Sequence, residues 1–227
     1  MSKVFIGVGH GGSDSGAVGK NGLLEKSLNL SIAKACAEAL TRSGVVVQLS
    51  RTTDEYDPVA QEVAECNSFA PDLAVDIHNN AGGGDGAEVF YSRVGGTGKR
   101  LAENILAHVA ALGQRSRGAK TRLAANGSDY YAFIRDTKAP AVIVECAFVD
   151  SSDVELIDTE AERIAVGEAI ARGVLQTLGI AYKPQKSPTE PSKFYRVVCG
   201  SYSDKANATA QVERLRRAGF DAFITYT

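Results

Sequence analysis

The sequence predicts an α/β fold with a mostly parallel central sheet flanked by helices, plus a small C-terminal βαβ unit. Short continuous apolar runs, which are typical of strands covered on both faces, alternate with longer segments of helical periodicity. A Pro-rich stretch then interrupts this alternation. We therefore divide the chain into a first domain of residues 1–180, a linker of residues 181–192 and a C-terminal element of residues 193–227.

Five strands and four helices are predicted in the first domain. The strands are predicted at residues 4–6, 45–49, 73–78, 87–91 and 141–145, and the helices at 28–40, 58–69, 101–112 and 161–178. Residues 113–128 are polar and contain glycine, which predicts a loop on the substrate side. In the C-terminal element, predicted strands at 194–198 and 220–226 flank a predicted helix at 204–218.

Composition excludes several classes of protein. The 227 residues contain no apolar run near the roughly 20 residues that a membrane-spanning helix needs. The N-terminus lacks the features of a secretory signal, so we expect a protein made in the cytoplasm without a signal peptide.

Residues 181–227 carry eight Lys/Arg and four Asp/Glu on an otherwise acidic chain. This asymmetry fits an anionic surface as partner, but on charge alone a solvated helix face is the favoured explanation; no nucleic-acid partner is expected.

The cysteines and one histidine are interpreted as structural. Cys36, Cys66 and Cys146 lie in segments that read as helix or strand interior, and the spacing of the cysteines matches no zinc-finger or redox motif. We therefore expect reduced core residues. His108 lies within a predicted helix near its apolar face, where a structural role is expected.

Four ionisable side chains follow or end predicted strands in a way that indicates a metal site. His10 stands on a glycine-rich turn after the first strand, and His78 and Glu145 each end a buried strand. In α/β folds this edge of the sheet is where sites are built. A hydrolytic zinc ion usually takes three ligands from His and Asp/Glu, beside a carboxylate that moves protons. His10, Glu25 and His78 are candidate zinc ligands, and Glu145 is the candidate proton carrier.

Each candidate also has a purely structural interpretation. His10 fits a loop histidine tolerated by its glycines, and His78 fits a hydrogen-bonded core histidine. Glu25 could simply favour the first turn of the following helix. Glu145 is harder to explain in this way, because a carboxylate at the end of an apolar run is costly unless it is paired or used.

At these residues the sequence resembles the zinc-dependent N-acetylmuramoyl-L-alanine amidases, a family that includes cell-separation and spore-lysis enzymes and phage endolysins. The resemblance runs from residue 3 to about residue 178, and the ordered motifs that carry it are Gly9–Gly12, Asp14–Gly19, Asn21–Lys26, Arg51–Asp54, Ile77–Ala81 and Pro140–Val149. It implies that His10, Glu25 and His78 ligate one zinc ion per chain. It also implies that Glu145 is catalytic and that the enzyme cuts the amide between N-acetylmuramic acid and L-alanine in peptidoglycan.

Two positions depart from the family pattern. Gly7-Val8 stands where the family commonly has Asp-Pro, and Asp76 stands where it commonly has Ser. Neither change replaces a candidate ligand. Asp76 adds a negative charge close to His78. We expect this charge to strengthen zinc binding by acting on the His78 ring without contacting the metal itself.

The C-terminal element is similar to half of a SPOR domain, a peptidoglycan-binding module. The resemblance lies in Phe194–Val197, Gly200–Ser203 and Ala218–Phe223. A full module has two βαβ halves, and one half is too small to bury a core alone. The expectation is a homodimer in which two chains complete one sheet; the alternatives are docking on the chain's own first domain or partial disorder.

Two other functions remain open at this level. A zinc peptidase cutting within the stem peptide would use the same ligands, and a wall-binding protein without activity would share the fold. The family motifs favour the amidase over the first, and the presence of all four site residues argues against the second. Without a signal peptide, the expected routes to the wall are a holin pore or lysis of the cell.

Overall fold

A computed structural model describes residues 1–19, 22–185, 199–220 and 222–224 of the chain. The chain divides into two units, residues 1–185 and residues 186–227. Among the described residues, no helix has the length and apolar character needed to cross a membrane.

The described residues of the first unit form six strands, five α-helices and one short 3-10 helix. The strands are β1 (Lys3–Val8), β2 (Val46–Leu49), β3 (Leu73–Asn80), β4 (Ala87–Tyr91), β5 (Ser116–Lys120) and β6 (Ala141–Phe148). The helices are α1 (Glu25–Arg42), α2 (Val59–Phe69), α3 (Gly96–Ala110), α4 (Ala132–Asp136) and α5 (Glu160–Leu178), with a 3-10 turn over Ser152–Leu156. All strands and helices predicted for this unit are present, with ends shifted by a few residues.

The strands form one six-stranded sheet in the order β2-β1-β3-β6-β4-β5. The first four strands of this order run parallel to one another. Strand β4 pairs antiparallel with β6, and β5 runs parallel to β4. The predicted mostly parallel sheet is therefore confirmed.

Helices cover both faces of the sheet. α5 packs against both α1 and α3 on one face, where the larger core lies. α2 and α4 pack together on the other face over a smaller core that includes Phe5 and Phe133. Among the described elements, only the short helices α2 and α4 cover this second face, and the ends of β3, β6 and β4 carry polar side chains there.

The interior residues behave largely as predicted. Every fourth residue of α1 that was expected to face inward, Leu28, Ile32, Cys36 and Leu40, is buried. Cys36, Cys66 and Cys146 are buried thiols without disulfides. Nε2 of His108 lies 2.9 Å from Oε1 of Gln176, so this histidine joins α3 to α5.

The prediction of a loop over residues 113–128 was wrong for part of that range. Ser116–Lys120 form β5, the edge strand beside β4. The strand is polar and half-exposed and contains Gly118 with φ 93°, so it shows none of the apolar alternation that marks strands in a sequence. Backbone pairing with β4 produces it, and that pairing is a tertiary property.

The second unit is described in part. The predicted helix is present as α6 (Lys205–Arg217), whose N-cap Asp204 accepts a hydrogen bond from the backbone N–H of Ala206 at 2.7 Å. The predicted strand at residues 194–198 lies outside the described residues. Of the predicted strand at 220–226, the described residues 220 and 222–224 form no regular element. The βαβ arrangement therefore stays a prediction.

Candidate active site

Three of the predicted site residues converge at one edge of the sheet. His10 follows β1 in a turn with φ 62°, Glu25 is the first residue of α1, and His78 lies in β3. One donor atom from each lies within 4.8 Å of the other two. Gly9 lies so close to the His78 ring that a Cβ at Gly9 would overlap ring atoms. Glycine at position 9 therefore leaves the space that the His78 ring occupies.

The carboxylate of Glu25 bridges the two histidines. Its Oε2 lies 3.2 Å from Nε2 of His10, and its Oε1 lies 3.1 Å from Nδ1 of His78. Backbone N–H groups of Ala17 and Asn79 also donate to this carboxylate, at 2.8 and 3.0 Å. Burial acts to raise the pKa of Glu25, but the hydrogen bonds to the histidines outweigh it and hold the pKa well below its usual range. Glu25 is therefore ionised at neutral pH.

The ring nitrogen of each histidine that does not face Glu25 lies close to a second carboxylate. Nδ1 of His10 lies 2.8 Å from Oδ2 of Asp14, and Nε2 of His78 lies 3.2 Å from Oδ2 of Asp76. The hydrogen bond to Glu25 raises the pKa of His10 against the effect of burial. Burial lowers the pKa of His78, but the charge of Asp76 outweighs this and the net shift is strongly upward. Both rings are thus held in place from two sides.

The two departures from the family pattern are neighbours in space. Gly7 of β1 and Asp76 of β3 are paired residues in the parallel register. A Cβ at Gly7 would stand 2.7 Å from Oδ1 of Asp76 and would overlap Oε1 of Glu62. Glycine at position 7 therefore leaves the space that the Asp76 carboxylate needs. Oδ1 of Asp76 is buried and has no hydrogen-bond partner among the described residues.

Two buried polar side chains hold the backbone of the His10 turn. Arg51 donates to the carbonyl oxygens of Val8, Gly9 and Lys26 at 3.0, 3.2 and 2.7 Å. Asn29 donates to the Gly9 carbonyl at 3.0 Å. Burial lowers the pKa of Arg51. The sequence motif that contains Arg51 thus acts on the site by fixing a turn.

Glu145 lies beside this cluster. It pairs with His78 across β3 and β6 and with Glu88 across β6 and β4, so the three side chains occupy one row of the sheet. Oε2 of Glu145 is buried and has no hydrogen-bond partner in the described part of the chain. Burial, opposed by the charge of His78, raises the pKa of Glu145 to about 7. A carboxyl group with such a pKa can accept or release a proton near neutral pH.

Several residues of this site were not identified from the sequence as site residues. They are Asp14, Asn29, Glu62 and Glu88, together with Arg117 and Lys120, whose side chains pair with Glu88. Asp14 could have been found, because an acidic residue four positions after a turn histidine can reach its ring. Glu88, Arg117 and Lys120 depend on β4 and β5 lying next to β6, for which the sequence contains no local signal.

The donor set of the cluster fits a zinc ion. Two imidazoles and one carboxylate are the ligands of many catalytic zinc sites. Metal-binding histidines usually donate their second ring N–H to a carboxylate, and Asp14 and Asp76 stand where such partners would be. The structure therefore contains a possible metal site made by His10, Glu25 and His78.

Comparison with known proteins gives two family matches. The N-acetylmuramoyl-L-alanine amidase family (Amidase_3) matches residues 4–176, and the SPOR domain family matches residues 169–226. The first match includes His10, Glu25, His78 and Glu145. The second covers the C-terminal element and reaches back into α5.

Individual relatives agree with the family matches. A "Sporulation-specific N-acetylmuramoyl-L-alanine amidase" of Bacillus subtilis is 36% identical over 99% of this chain and 84% of its own length. Cwp6 from Clostridium difficile is 38% identical with a TM-score of 0.76, covering 78% of this chain and 29% of that chain. The catalytic domain of CwlV, an N-acetylmuramoyl-L-alanine amidase from Bacillus (Paenibacillus) polymyxa, is 28% identical with a TM-score of 0.72, covering 80% and 100%. With its first unit matched almost throughout, this chain belongs to the N-acetylmuramoyl-L-alanine amidase family.

Proposed function

We propose that this chain is a zinc-dependent N-acetylmuramoyl-L-alanine amidase that hydrolyses the amide between N-acetylmuramic acid and L-alanine in peptidoglycan. The observation that carries the proposal is the convergence of His10, Glu25 and His78, with Glu145 in the neighbouring strand. Membership of the amidase family supports the choice of bond.

The proposed zinc ligands are His10, Glu25 and His78. Bound there, zinc would lower the pKa of a water molecule and polarise the carbonyl oxygen of the amide. Asp14 and Asp76 orient the two imidazoles, and Glu25 is oriented by the backbone N–H groups of residues 17 and 79.

Glu145 is the proposed proton carrier. Its Oε2 has no hydrogen-bond partner among the described residues and is therefore not committed to a structural contact there, and its raised pKa suits both accepting and releasing a proton. Glu145 takes a proton from the attacking water and delivers it to the nitrogen of L-alanine as the C–N bond breaks. The products are the free carboxyl group of the muramic acid lactyl ether and a peptide with a new amino terminus.

We further propose that residues 1–180 are the catalytic domain, residues 181–192 a linker and residues 193–227 a half SPOR element that binds the wall or pairs two chains. Exposed Phe220 and Phe223 in this element support a pairing surface. Light scattering tests the pairing: a dimer at micromolar concentration is expected, and a monomer would contradict it. The proposed place of action is the cell wall, reached through a holin pore or after cell lysis.

The activity is tested by digesting purified peptidoglycan with the full chain and identifying the new chemical ends. We expect free L-alanine amino termini without new reducing sugars, lost with a chelator and restored by zinc. New amino groups on another stem residue would identify a peptidase. A protein that pellets with the wall and releases nothing would be a binding protein.

A further inference from the structure

Strands β4 and β5 carry a cluster of charged side chains next to Glu145. The proposed proton transfer does not involve this cluster. Glu88 of β4 is a buried carboxylate whose Oε2 lies 2.8 Å from Nε of Arg117 and 2.5 Å from Nζ of Lys120. Nδ2 of Asn80 donates to its other oxygen at 3.0 Å. Because Glu88 and Glu145 are paired across β4 and β6, this cluster adjoins the proposed catalytic carboxylate.

The cluster has more positive than negative charge. One carboxylate faces two cations, which leaves a net charge of +1. Burial would raise the pKa of Glu88, but the hydrogen bonds from Lys120 and Arg117 outweigh it and the pKa is lowered, so the carboxylate is ionised. The side chains of Arg117 and Lys120 remain 34% and 38% exposed. We call these two residues the basic pair; each has donors left to bind an anion.

The other side of the site is lined by acidic side chains around the two histidines. A cavity of about 460 Å³ borders His10 and His78, and its acidic lining residues are Asp14, Asp57, Glu62 and Asp76. The described residues that line it include no Lys or Arg. Its rim contains the exposed Tyr56 and Tyr130. Carboxyl groups and tyrosines suit an uncharged sugar with hydroxyl groups, and the described lining offers no Lys or Arg to a stem carboxylate.

On the basis of the proposed function, we infer that the basic pair binds a carboxylate of the peptide stem and so directs the stem across β4 and β5. The uncharged glycan then enters the acidic cavity on the opposite side of the cut bond.

The distances across the sheet are consistent with this direction. Two strand spacings of about 4.8 Å separate β6, which carries Glu145, from β5, which carries the basic pair. An extended peptide covers this distance of roughly 10 Å in about three residues. The basic pair would therefore meet the second or third residue of the stem, counted from the L-alanine at the cut amide.

The test uses two soluble muramoyl peptides with the same muramoyl–L-alanine amide, one with free stem carboxylates and one with these carboxylates converted to primary amides. We expect Arg117→Gln and Lys120→Gln each to raise KM about tenfold for the first substrate, as for one lost hydrogen bond to a charged group, with kcat nearly unchanged. KM for the amidated substrate should not change. Each variant leaves Glu88 one cation, so the fold should persist.

Two controls separate charge recognition from general damage. Arg117→Lys retains the charge and should keep KM near the wild-type value for the first substrate. Lys99→Gln removes an exposed lysine on α3 whose Nζ lies 3.7 Å from Oε1 of Glu103. This variant should leave KM for both substrates unchanged.

The outcomes distinguish this subsite from the proposed function. Equal changes of KM for both substrates, or none, would overturn the stem-binding role while the amidase activity stands. No cleavage of either substrate by the wild-type protein would overturn the proposed function, and the subsite with it.

Discussion

The substitution Glu145→Gln is expected to remove turnover while the zinc site survives. Glu145 is not one of the three residues that form the possible metal site, and its Oε2 makes no hydrogen bond within the described residues. With a pKa of about 7, the carboxyl group is partly neutral at pH 7. A glutamine amide has nearly the shape of the protonated acid, so the folded structure should accept the change.

The size of the effect follows from the proton transfer that is lost. General acid–base catalysis by one side chain contributes roughly 10²- to 10⁴-fold, which corresponds to about 3–5 kcal/mol of activation free energy. We expect kcat to fall by at least about 100-fold. Because Oε2 loses no protein partner, the melting temperature should change by no more than about 3 °C, or roughly 1 kcal/mol of unfolding free energy.

The assay counts new L-alanine amino termini, with bound zinc and melting temperature measured on the same preparations. Glu103→Gln is the matched control, since Glu103 is an exposed glutamate on α3, away from the proposed site. Wild-type turnover in Glu145→Gln would remove Glu145 from the mechanism. Loss of zinc together with turnover would show instead that Glu145 contributes to metal binding.

Three further predictions concern the surroundings of the site. Gly9→Ala should weaken zinc binding at least about tenfold in a chelator competition, because the added Cβ overlaps the His78 ring; unchanged affinity would mean that the ring can move without cost. Arg51→Gln should lower the unfolding free energy by about 3 kcal/mol and the melting temperature by roughly 10 °C, since buried carbonyl groups lose a charged donor; an unaltered melting curve would contradict this. Ile170→Ala, in the core between α5 and its neighbours, should cost about 2–5 kcal/mol in chemical denaturation while the folded protein keeps its zinc and its kcat; a loss of zinc from the folded variant would count against this separation.

Much of the fold could be predicted because it is encoded in local patterns. Each apolar strand and each periodic helix can be recognised from the hydrophobic pattern of its own segment, because that pattern shows which side of the segment is buried. The polar edge strand β5 and the short helix α4 escaped prediction for the same reason. Neither has a strong pattern of its own, and each is stabilised by neighbours distant in the sequence.

The candidate site divides in the same way. Histidines and a glutamate at strand ends identify His10, His78 and Glu145, because the carboxyl ends of parallel strands meet at one edge. Glu25 is less evident from the sequence, since an acidic residue at a helix start has an adequate electrostatic explanation. The resemblance to a family supplied its expected role, and the fold provides the contacts with both rings.

By itself, then, the sequence determined the order of the elements, the buried faces and the residue types at the edge of the sheet. Only the tertiary structure decided which of these residues are neighbours. The antiparallel pairing of β4 with β6 puts Glu88 next to Glu145 and brings Arg117 into contact with Glu88. The pairing of β1 with β3 puts Gly7 opposite Asp76, where the missing side chain leaves room for the Asp76 carboxylate. Such contacts join residues between about 30 and 70 positions apart, and no local pattern encodes them because they depend on the order in which strands pair.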